Sequence, residues 1–221
     1  MTSTAASALL DTVTQHPLVP VFYHADAAYA GAVVRACYDG GIRVFEFTNR
    51  GGAALSVFRE LVTYVRTNCP GLALGIGTIL TATSAEEFAD AGADFVVQPV
   101  TTADVGAVCR ERNLPWIPAG ATLNEIYQAT VLGAELVKVF PGNVLGPEFI
   151  KAIRGPMPQL KLMVTGGVEP TEASLTAWFR AGVTAVGLGS QLFGDRTQSA
   201  DQLRERVAAL FPHVQPFIPK R

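Results

Sequence analysis

Metal-ligating residues and charges are scarce in this chain of 221 residues. No CxxC pair and no closely spaced set of histidines and cysteines is present, so the sequence predicts no metal site. The cysteines are Cys37, Cys69 and Cys109. Their odd number and their helical surroundings predict reduced structural thiols in a cytoplasmic protein. Charged residues make up 16% of the chain, and the formal net charge of −2 provides no basic surface for nucleic acid.

Long apolar runs are also missing. The N-terminal segment MTSTAASALLDTVTQHP has no basic stretch followed by a continuous apolar one, so it does not predict a signal peptide. No apolar run approaches the ~20 residues that a membrane span requires. We therefore expect a cytoplasmic protein that binds neither nucleic acid nor membrane.

Short apolar runs alternate with amphipathic segments along the whole chain. The segments between the runs have apolar residues at three- and four-residue spacing, which is typical of helices. The predicted strands are 18–23, 42–47, 72–77, 93–98, 115–119, 135–140, 160–164 and 184–189. The second, fourth, sixth and eighth of them follow a glycine that is suited to end a helix: Gly41, Gly92, Gly133 and Gly182.

Eight strand–helix units in a chain of this length predict a (β/α)8 barrel, also called a TIM barrel. A doubly wound parallel sheet is the alternative fold. No linker or change of composition marks a second domain. We assign residues 1–17 to an extra N-terminal helix that closes the barrel, residues 18–213 to the barrel, and residues 214–221 to a C-terminal tail.

A lysine stands at the centre of the apolar segment ELVKVF, residues 135–140. Because side chains alternate between the faces of a strand, Leu136, Lys138 and Phe140 share one face. Burial disfavours the charged form of a lysine, and a neutral amine can form a Schiff base with a carbonyl compound. Glu46, the charge embedded in the second strand, could then move protons. The alternative is a buried ion pair that only fills the barrel.

Glycine-rich turns follow the seventh and eighth strands. Barrel enzymes often bind phosphate there, because glycines let backbone N–H groups approach the phosphate oxygens. The residues that fit this role are Gly166, Gly167, Gly189 and Ser190. The alternative is a pair of tight turns that bind no ligand.

Two further polar residues follow strands. The planar guanidinium of Arg50 suits a carboxylate or phosphate, although a solvated surface arginine is the default interpretation. His24 ends the first strand and is most simply a polar strand-end residue.

Taken in order, these motifs resemble the class I 2-keto-3-deoxy-6-phosphogluconate (KDPG) aldolases. That family includes 4-hydroxy-2-oxoglutarate (KHG) aldolases and aldolases of galactonate-derived phosphosugars. The resemblance spans about residues 18 to 193 and rests on FEFTNR, GIGT, QP, KVFPG, VTGG and GLGS. It implies reversible cleavage of a 2-keto-3-deoxy-6-phospho sugar acid to pyruvate and glyceraldehyde 3-phosphate, and of KHG to pyruvate and glyoxylate. It also implies no cofactor and no metal, and a homotrimer.

The resemblance assigns a role to each polar strand end. Lys138 would form the Schiff base, and Glu46 would be the general acid and base. The pyruvate carboxylate would be held by Arg50 and Thr78, and its methyl group would be enclosed by Pro99 and Phe140. The distal phosphate and nearby hydroxyls would be received by Thr165, Gly166, Gly167, Gly189 and Ser190.

This chain departs from the family pattern at three places. Asn49 replaces a common leucine, Gln98-Pro99-Val100 replaces Ser-Pro-Gly, and His24 replaces a basic residue. These departures leave open the sugar stereochemistry and the need for a phosphate. Two other functions also stay open. One is a phosphate-binding isomerase or epimerase that uses Glu46 as a base, and the other is a non-catalytic phosphosugar-binding barrel. The polar strand ends argue against the latter, because burying them without a use is costly.

Overall fold

Repeated strand–helix units build one parallel barrel in the computed structural model, which describes residues 4–194 and 198–220. The strands are β1 Leu18–Phe22, β2 Val44–Thr48, β3 Ala73–Gly77, β4 Val96–Val97, β5 Trp116–Ile117, β6 Ala119–Gly120, β7 Val137–Val139, β8 Leu162–Thr165 and β9 Ala185–Leu188. The helices are α1 Thr4–Gln15, α2 Ala27–Asp39, α3 Ala54–Asn68, α4 Ala82–Asp90, α5 Ala103–Glu111, α6 Leu123–Val131, α7 Gly142–Arg154, α8 Glu172–Ala181, α9 Ser190–Phe193, α10 Ala200–Ala208 and α11 Phe211–Val214.

The sheet closes on itself at Pro118. Its strand order is β5-β4-β3-β2-β1-β9-β8-β7-β6, and every registered pair is parallel. The two outermost strands, β5 and β6, are consecutive pieces of the predicted fifth strand. Pro118 has no N–H to donate, but its carbonyl accepts a hydrogen bond from the Lys138 N–H at 2.8 Å. The predicted eight-unit barrel is therefore confirmed, and the doubly wound alternative is wrong.

Alternate strand residues face two different apolar layers. The layer between the strands and the helices contains the four residues that flank the two embedded charges: Phe45, Phe47, Val137 and Val139. Because side chains alternate along a strand, Glu46 and Lys138 face the barrel interior. Alternation in the sequence predicts this inward orientation on the condition that the four apolar residues face the helices, as they do.

Apolar side chains close the N-terminal end of the interior. This interior layer consists of Leu9, Val13, Val19, Val44, Phe95, Val97, Ile117, Leu136, Met163 and Ala185. The first two belong to α1, so the extra N-terminal helix packs against the barrel interior. Ser7 Oγ on the same helix donates to Glu135 Oε2 at 3.4 Å.

The predicted segment boundaries at residues 17/18 and 213/214 stay a prediction. The chain beyond residue 213 continues into a 3-10 helix, Gln215–Phe217. The Phe217 ring stacks on Phe179 at 5.7 Å between centroids. The segment predicted as a tail therefore packs against α8.

The predicted helix-ending glycines adopt the left-handed backbone conformation, with φ between 94° and 110°. All three cysteines are free and buried. Burial raises the pKa of the Cys109 thiol to about 12 and also raises the pKa of Cys37. In the part of the chain that the structure describes, no helix is both long and apolar enough to cross a membrane.

Candidate active site

A buried lysine and a buried glutamate meet inside the barrel. β2 and β7 lie on opposite sides of the ring, since three strands separate them in either direction when β5 and β6 are counted as the two pieces of one strand. Lys138 Nζ lies 3.7 Å from Glu46 Oε1, and the two side chains are only 7% and 1% exposed. This distance is longer than a hydrogen bond, so the interaction is electrostatic. Glu46 Oε2 is buried without a hydrogen-bond partner among the described residues.

The third strand makes room for the Glu46 carboxylate. Its side chains Leu74 and Ile76 face the helices, so Ala73, Gly75 and Gly77 face the interior. A Cβ atom on Gly77 would lie 2.6 Å from Glu46 Cδ and would overlap Oε1. Glycine within a strand often marks such a close approach. This role of Gly77 was not predicted, although large and small residues alternate in the segment LALGIG, residues 72–77.

Thr78 follows Gly77 at the C-terminal end of β3. Its φ of 62° is left-handed, which is unusual for a β-branched residue. Such strain costs about 1–3 kcal/mol and is concentrated at functional sites. The Gly77 carbonyl accepts a hydrogen bond from the Asn49 N–H at 2.8 Å, which ties this strand end to the segment that carries Arg50. The predicted residues Thr78 and Arg50 therefore lie on neighbouring strand ends.

The guanidinium of Arg50 is free to meet a ligand. The residue is exposed, and within residues 4–194 and 198–220 its side chain has no hydrogen-bond or ion-pair partner. Only its backbone is held, by a hydrogen bond from Arg50 N–H to the Thr48 carbonyl at 2.9 Å.

His24 is held by the start of α2. His24 Nδ1 lies 3.1 Å from the Asp26 N and 3.4 Å from the Asp26 carbonyl oxygen. The ring also packs against Tyr29 at 4.4 Å between centroids. These contacts hold the His24 ring at the start of α2.

Phe140 lies beside the lysine. Lys138 Nζ is 5.4 Å from the centre of the Phe140 ring. A Cβ atom on Gly166 would lie 3.5 Å from the same ring, so Phe140 connects the lysine to the turn after β8. Pro99 is half-buried at the end of β4.

Gln98 does not face the site. Its Oε1 accepts a hydrogen bond from Trp116 Nε1 at 2.8 Å, and its Nε2 donates to Thr102 Oγ1 at 3.0 Å. Trp116 belongs to the layer between strands and helices. This departure from the family pattern therefore serves packing on the outside of the barrel.

The predicted phosphate residues lie at the ends of β8 and β9. Thr165 is 7% exposed, and its Oγ1 has no partner in the described part of the chain. Gly166 and Gly167 have φ values of 95° and 72°, which the turn itself requires. Gly189 precedes the short helix α9, and Ser190 at the start of that helix is exposed. The structure brings these residues to the same end of the barrel as Lys138.

The opposite end of the barrel has a cavity of about 320 Å³ between α1, α5 and the strand starts. It is lined mainly by apolar side chains, among them Leu136, which lies on the N-terminal side of Lys138. Across the described ranges 4–194 and 198–220, no group of three or more His, Cys, Asp or Glu side chains is arranged to hold a metal ion.

Comparisons with known proteins agree with this geometry. The model of the KDPG and KHG aldolase family matches residues 9–209. A 2-dehydro-3-deoxy-phosphogluconate aldolase from Pseudoalteromonas atlantica is 34% identical over 73% of this chain and 74% of its own length. The KHG/KDPG aldolase of Escherichia coli K12 is 31% identical over 76% of each chain.

A solved structure has the same barrel. It is a KDPG aldolase from Legionella pneumophila with pyruvate captured as a covalent carbinolamine intermediate. It superposes with a TM-score of 0.81 at 26% identity, covering 90% of this chain and 96% of that one.

Proposed function

This chain belongs to the KDPG and KHG aldolase family, and we therefore propose that it is a class I aldolase, a lyase that works through a Schiff base. It cleaves a 2-keto-3-deoxy-6-phospho sugar acid reversibly to pyruvate and glyceraldehyde 3-phosphate. It also cleaves KHG to pyruvate and glyoxylate, an activity named for the E. coli relative. The observation that carries the proposal is the buried Lys138, whose Nζ lies 3.7 Å from Glu46 Oε1.

The lysine supplies the covalent chemistry. Lys138 Nζ adds to the C2 carbonyl of the keto acid, and loss of water gives an iminium ion. Glu46, acting through a water molecule, takes the proton of the C4 hydroxyl. The C3–C4 bond then breaks, the aldehyde leaves, and the bonding electrons pass into the iminium to give an enamine. Protonation at C3 and hydrolysis release pyruvate and the free amine.

The environment of Glu46 supports this chemistry over a structural ion pair. A buried pair that only stabilises the fold needs further hydrogen bonds to the remaining lone pairs. Glu46 Oε2 has none within the described residues. This unpaired acceptor is available to a water or a substrate hydroxyl, as a proton relay requires. An isomerase that used Glu46 alone would not need the amine of Lys138.

The pyruvate end of the substrate lies against four residues of the proposed site. Arg50 offers a guanidinium that has no partner among the described residues, and Thr78 holds a strained conformation at the neighbouring strand end. Together they bind the carboxylate. Phe140, whose ring is 5.4 Å from Lys138 Nζ, encloses the methyl group with Pro99.

The distal phosphate binds at the ends of β8 and β9. Gly166, Gly167 and Gly189 present backbone N–H groups, Ser190 adds a hydroxyl, and Thr165 Oγ1 is a buried hydroxyl without a partner in the described chain. A substitution at Gly167 would not test this role. Its φ is left-handed, and a Cβ atom there would lie 3.0 Å from Asn143 Cα. Ser190 is the better position.

Borohydride reduction in the presence of pyruvate tests the proposal. One reduced pyruvoyl group should be added per chain, and peptide mass spectrometry should find it at Lys138. Cleavage activity should also survive extensive dialysis against a chelator, because the iminium is the electron sink. No labelling, or labelling at another residue, would refute the Schiff-base assignment.

We also propose that the enzyme is a cytoplasmic homotrimer of carbohydrate metabolism. Free, buried thiols support a reducing compartment. Large apolar side chains that are exposed on the isolated chain support contact between copies: Leu80, Val100, Tyr127, Val131 and Val144. Light scattering should give three times the chain mass, and a monomer at assay concentration would contradict it.

A further inference from the structure

The end of β1 holds the segment that carries Arg50 from two sides. On one side, Thr48 Oγ1 donates a hydrogen bond to the Phe22 carbonyl at 3.3 Å. On the other side, Gly51 lies directly against the phenol of Tyr23. A Cβ atom on Gly51 would overlap Tyr23 Oη and would lie 3.0 Å from Cζ. Arg50 stands between these two contacts.

The backbone of the segment is fixed at each step. Asn49 N–H donates to the Gly77 carbonyl at 2.8 Å, and Arg50 N–H donates to the Thr48 carbonyl at 2.9 Å. Ala54 N–H donates to the Gly51 carbonyl at 2.9 Å, which starts α3. The Arg50 side chain has no partner among the described residues, so the backbone contacts of this segment fix only where that side chain begins.

The ring of Tyr23 has little freedom to move inward. It packs against Phe47 at 5.6 Å between centroids, and Phe47 is fully buried. The phenol therefore limits how closely the backbone at Gly51 can approach β1.

We propose that Tyr23 is a positioning residue. Its phenol fixes the position of the backbone segment that carries Arg50, and this position sets the affinity of Arg50 for the substrate carboxylate. This inference rests on the proposed function, in which Arg50 binds that carboxylate. Tyr23 itself makes no contact with substrate in this proposal. A change at Tyr23 should therefore alter the half-saturating concentration of pyruvate and leave the maximal rate of imine formation unchanged.

Two neighbouring glycines offer a matched pair of variants. Gly51 and Gly52 are both exposed, and neither has a left-handed φ. A Cβ atom on Gly52 would meet nothing within 4 Å, whereas one on Gly51 would overlap Tyr23 Oη. Gly51→Ala and Gly52→Ala make the same chemical change one residue apart, and only the first displaces the segment from the phenol.

The measurement is borohydride trapping over a range of pyruvate concentrations, with acetone as a neutral carbonyl probe that lacks the carboxylate. Gly51→Ala should raise the half-saturating pyruvate concentration roughly tenfold, as expected when a hydrogen bond to a charged group is weakened. The maximal rate and the trapping of acetone should not change. Gly52→Ala should match the wild-type enzyme. Tyr23→Phe combined with Gly51→Ala removes the overlapping oxygen and should restore most of the pyruvate affinity.

Two results would overturn the inference. Equal pyruvate requirements for Gly51→Ala and Gly52→Ala would mean that the phenol moves and the segment does not. A parallel loss of pyruvate and acetone trapping would mean general damage to the site. If Gly51→Ala does not fold, Tyr23→Leu replaces it: the same selective rise supports the inference, and an unchanged pyruvate requirement overturns it. A wild-type enzyme that pyruvate does not trap would refute the proposed function itself.

Discussion

The two ends of the barrel differ in how their polar side chains are paired. At the N-terminal end, Asp94 accepts a hydrogen bond from the Leu74 N–H at 2.8 Å and pairs with Arg66 at 2.7 Å. At the C-terminal end, Glu46 Oε2 and Thr165 Oγ1 are buried without partners in the described part of the chain. Unpaired buried groups are rare and costly. The difference indicates that the N-terminal end contributes stability, whereas the C-terminal end is less stable because its polar groups are left available for chemistry.

The largest effect should come from removing the amine. Lys138→Arg should reduce turnover to background and abolish pyruvate trapping, because arginine remains charged and cannot form the imine. Lys161, which is exposed at the N-terminal end of β8, is the matched control. Lys161→Arg should leave both readouts unchanged. Residual trapping of pyruvate by Lys138→Arg would show that the amine that forms the imine is not the one at this end of the barrel.

Replacing the carboxylate should slow proton transfer while leaving the imine step intact. Glu46→Gln keeps the shape of the side chain but removes the base, so exchange of pyruvate methyl protons with deuterated water should slow by ~100- to 10,000-fold. NMR measures this exchange. The variant should still be trapped by pyruvate and borohydride. An unchanged exchange rate would assign the base to another residue.

The phosphate contact should have a smaller and substrate-dependent effect. Ser190→Ala removes one hydroxyl donor, and a hydrogen bond to a charged group contributes about 1.5–3 kcal/mol, or ~10- to 150-fold. The loss in kcat/KM should appear with the phosphorylated keto acid and be nearly absent with KHG. Equal losses on both substrates would mean that these turns support the fold. The substrate would then be assigned to the unphosphorylated keto acid.

The smallest effect should be on stability alone, at the opposite end. Asp94→Asn weakens the pairing with the half-exposed Arg66 and should cost about 1 kcal/mol of unfolding free energy. Urea denaturation measures this loss, and turnover of the folded enzyme should not change. Glu46→Gln should show the reverse: a large loss of activity without a loss of unfolding free energy. A large loss of activity in Asp94→Asn would contradict the conclusion that the N-terminal end contributes to stability alone.

The sequence was sufficient to predict which charged groups face the barrel interior. Alternation along ELVKVF and IRVFEF places Lys138 and Glu46 inward, because one strand face is covered by helices. The sequence does not show that Gln98 bonds to Trp116, since both faces of its strand are apolar. Nor does it show the contact between Tyr23 and Gly51, which depends on how two loops approach in space.

Strand boundaries were less predictable than strand identities. The fourth strand was expected over residues 93–98 but pairs regularly only over Val96–Val97. The fifth was expected as one strand and is divided at Pro118. Apolar runs indicate which residues are buried, whereas strand ends depend on hydrogen bonds to both neighbours. Such pairing cannot be read from one segment.

The stripe of Ala73, Gly75 and Gly77 limits how the pocket can be redesigned. A substrate pocket is usually enlarged by trimming a side chain, but the inner face of β3 has almost nothing to trim. Every substitution at Gly75 or Gly77 adds atoms, toward Phe95 in the first case and toward Glu46 in the second. Tolerance at these two positions should therefore rank by side-chain volume and not by polarity. New space for a bulkier substrate must come from other walls, such as Phe140.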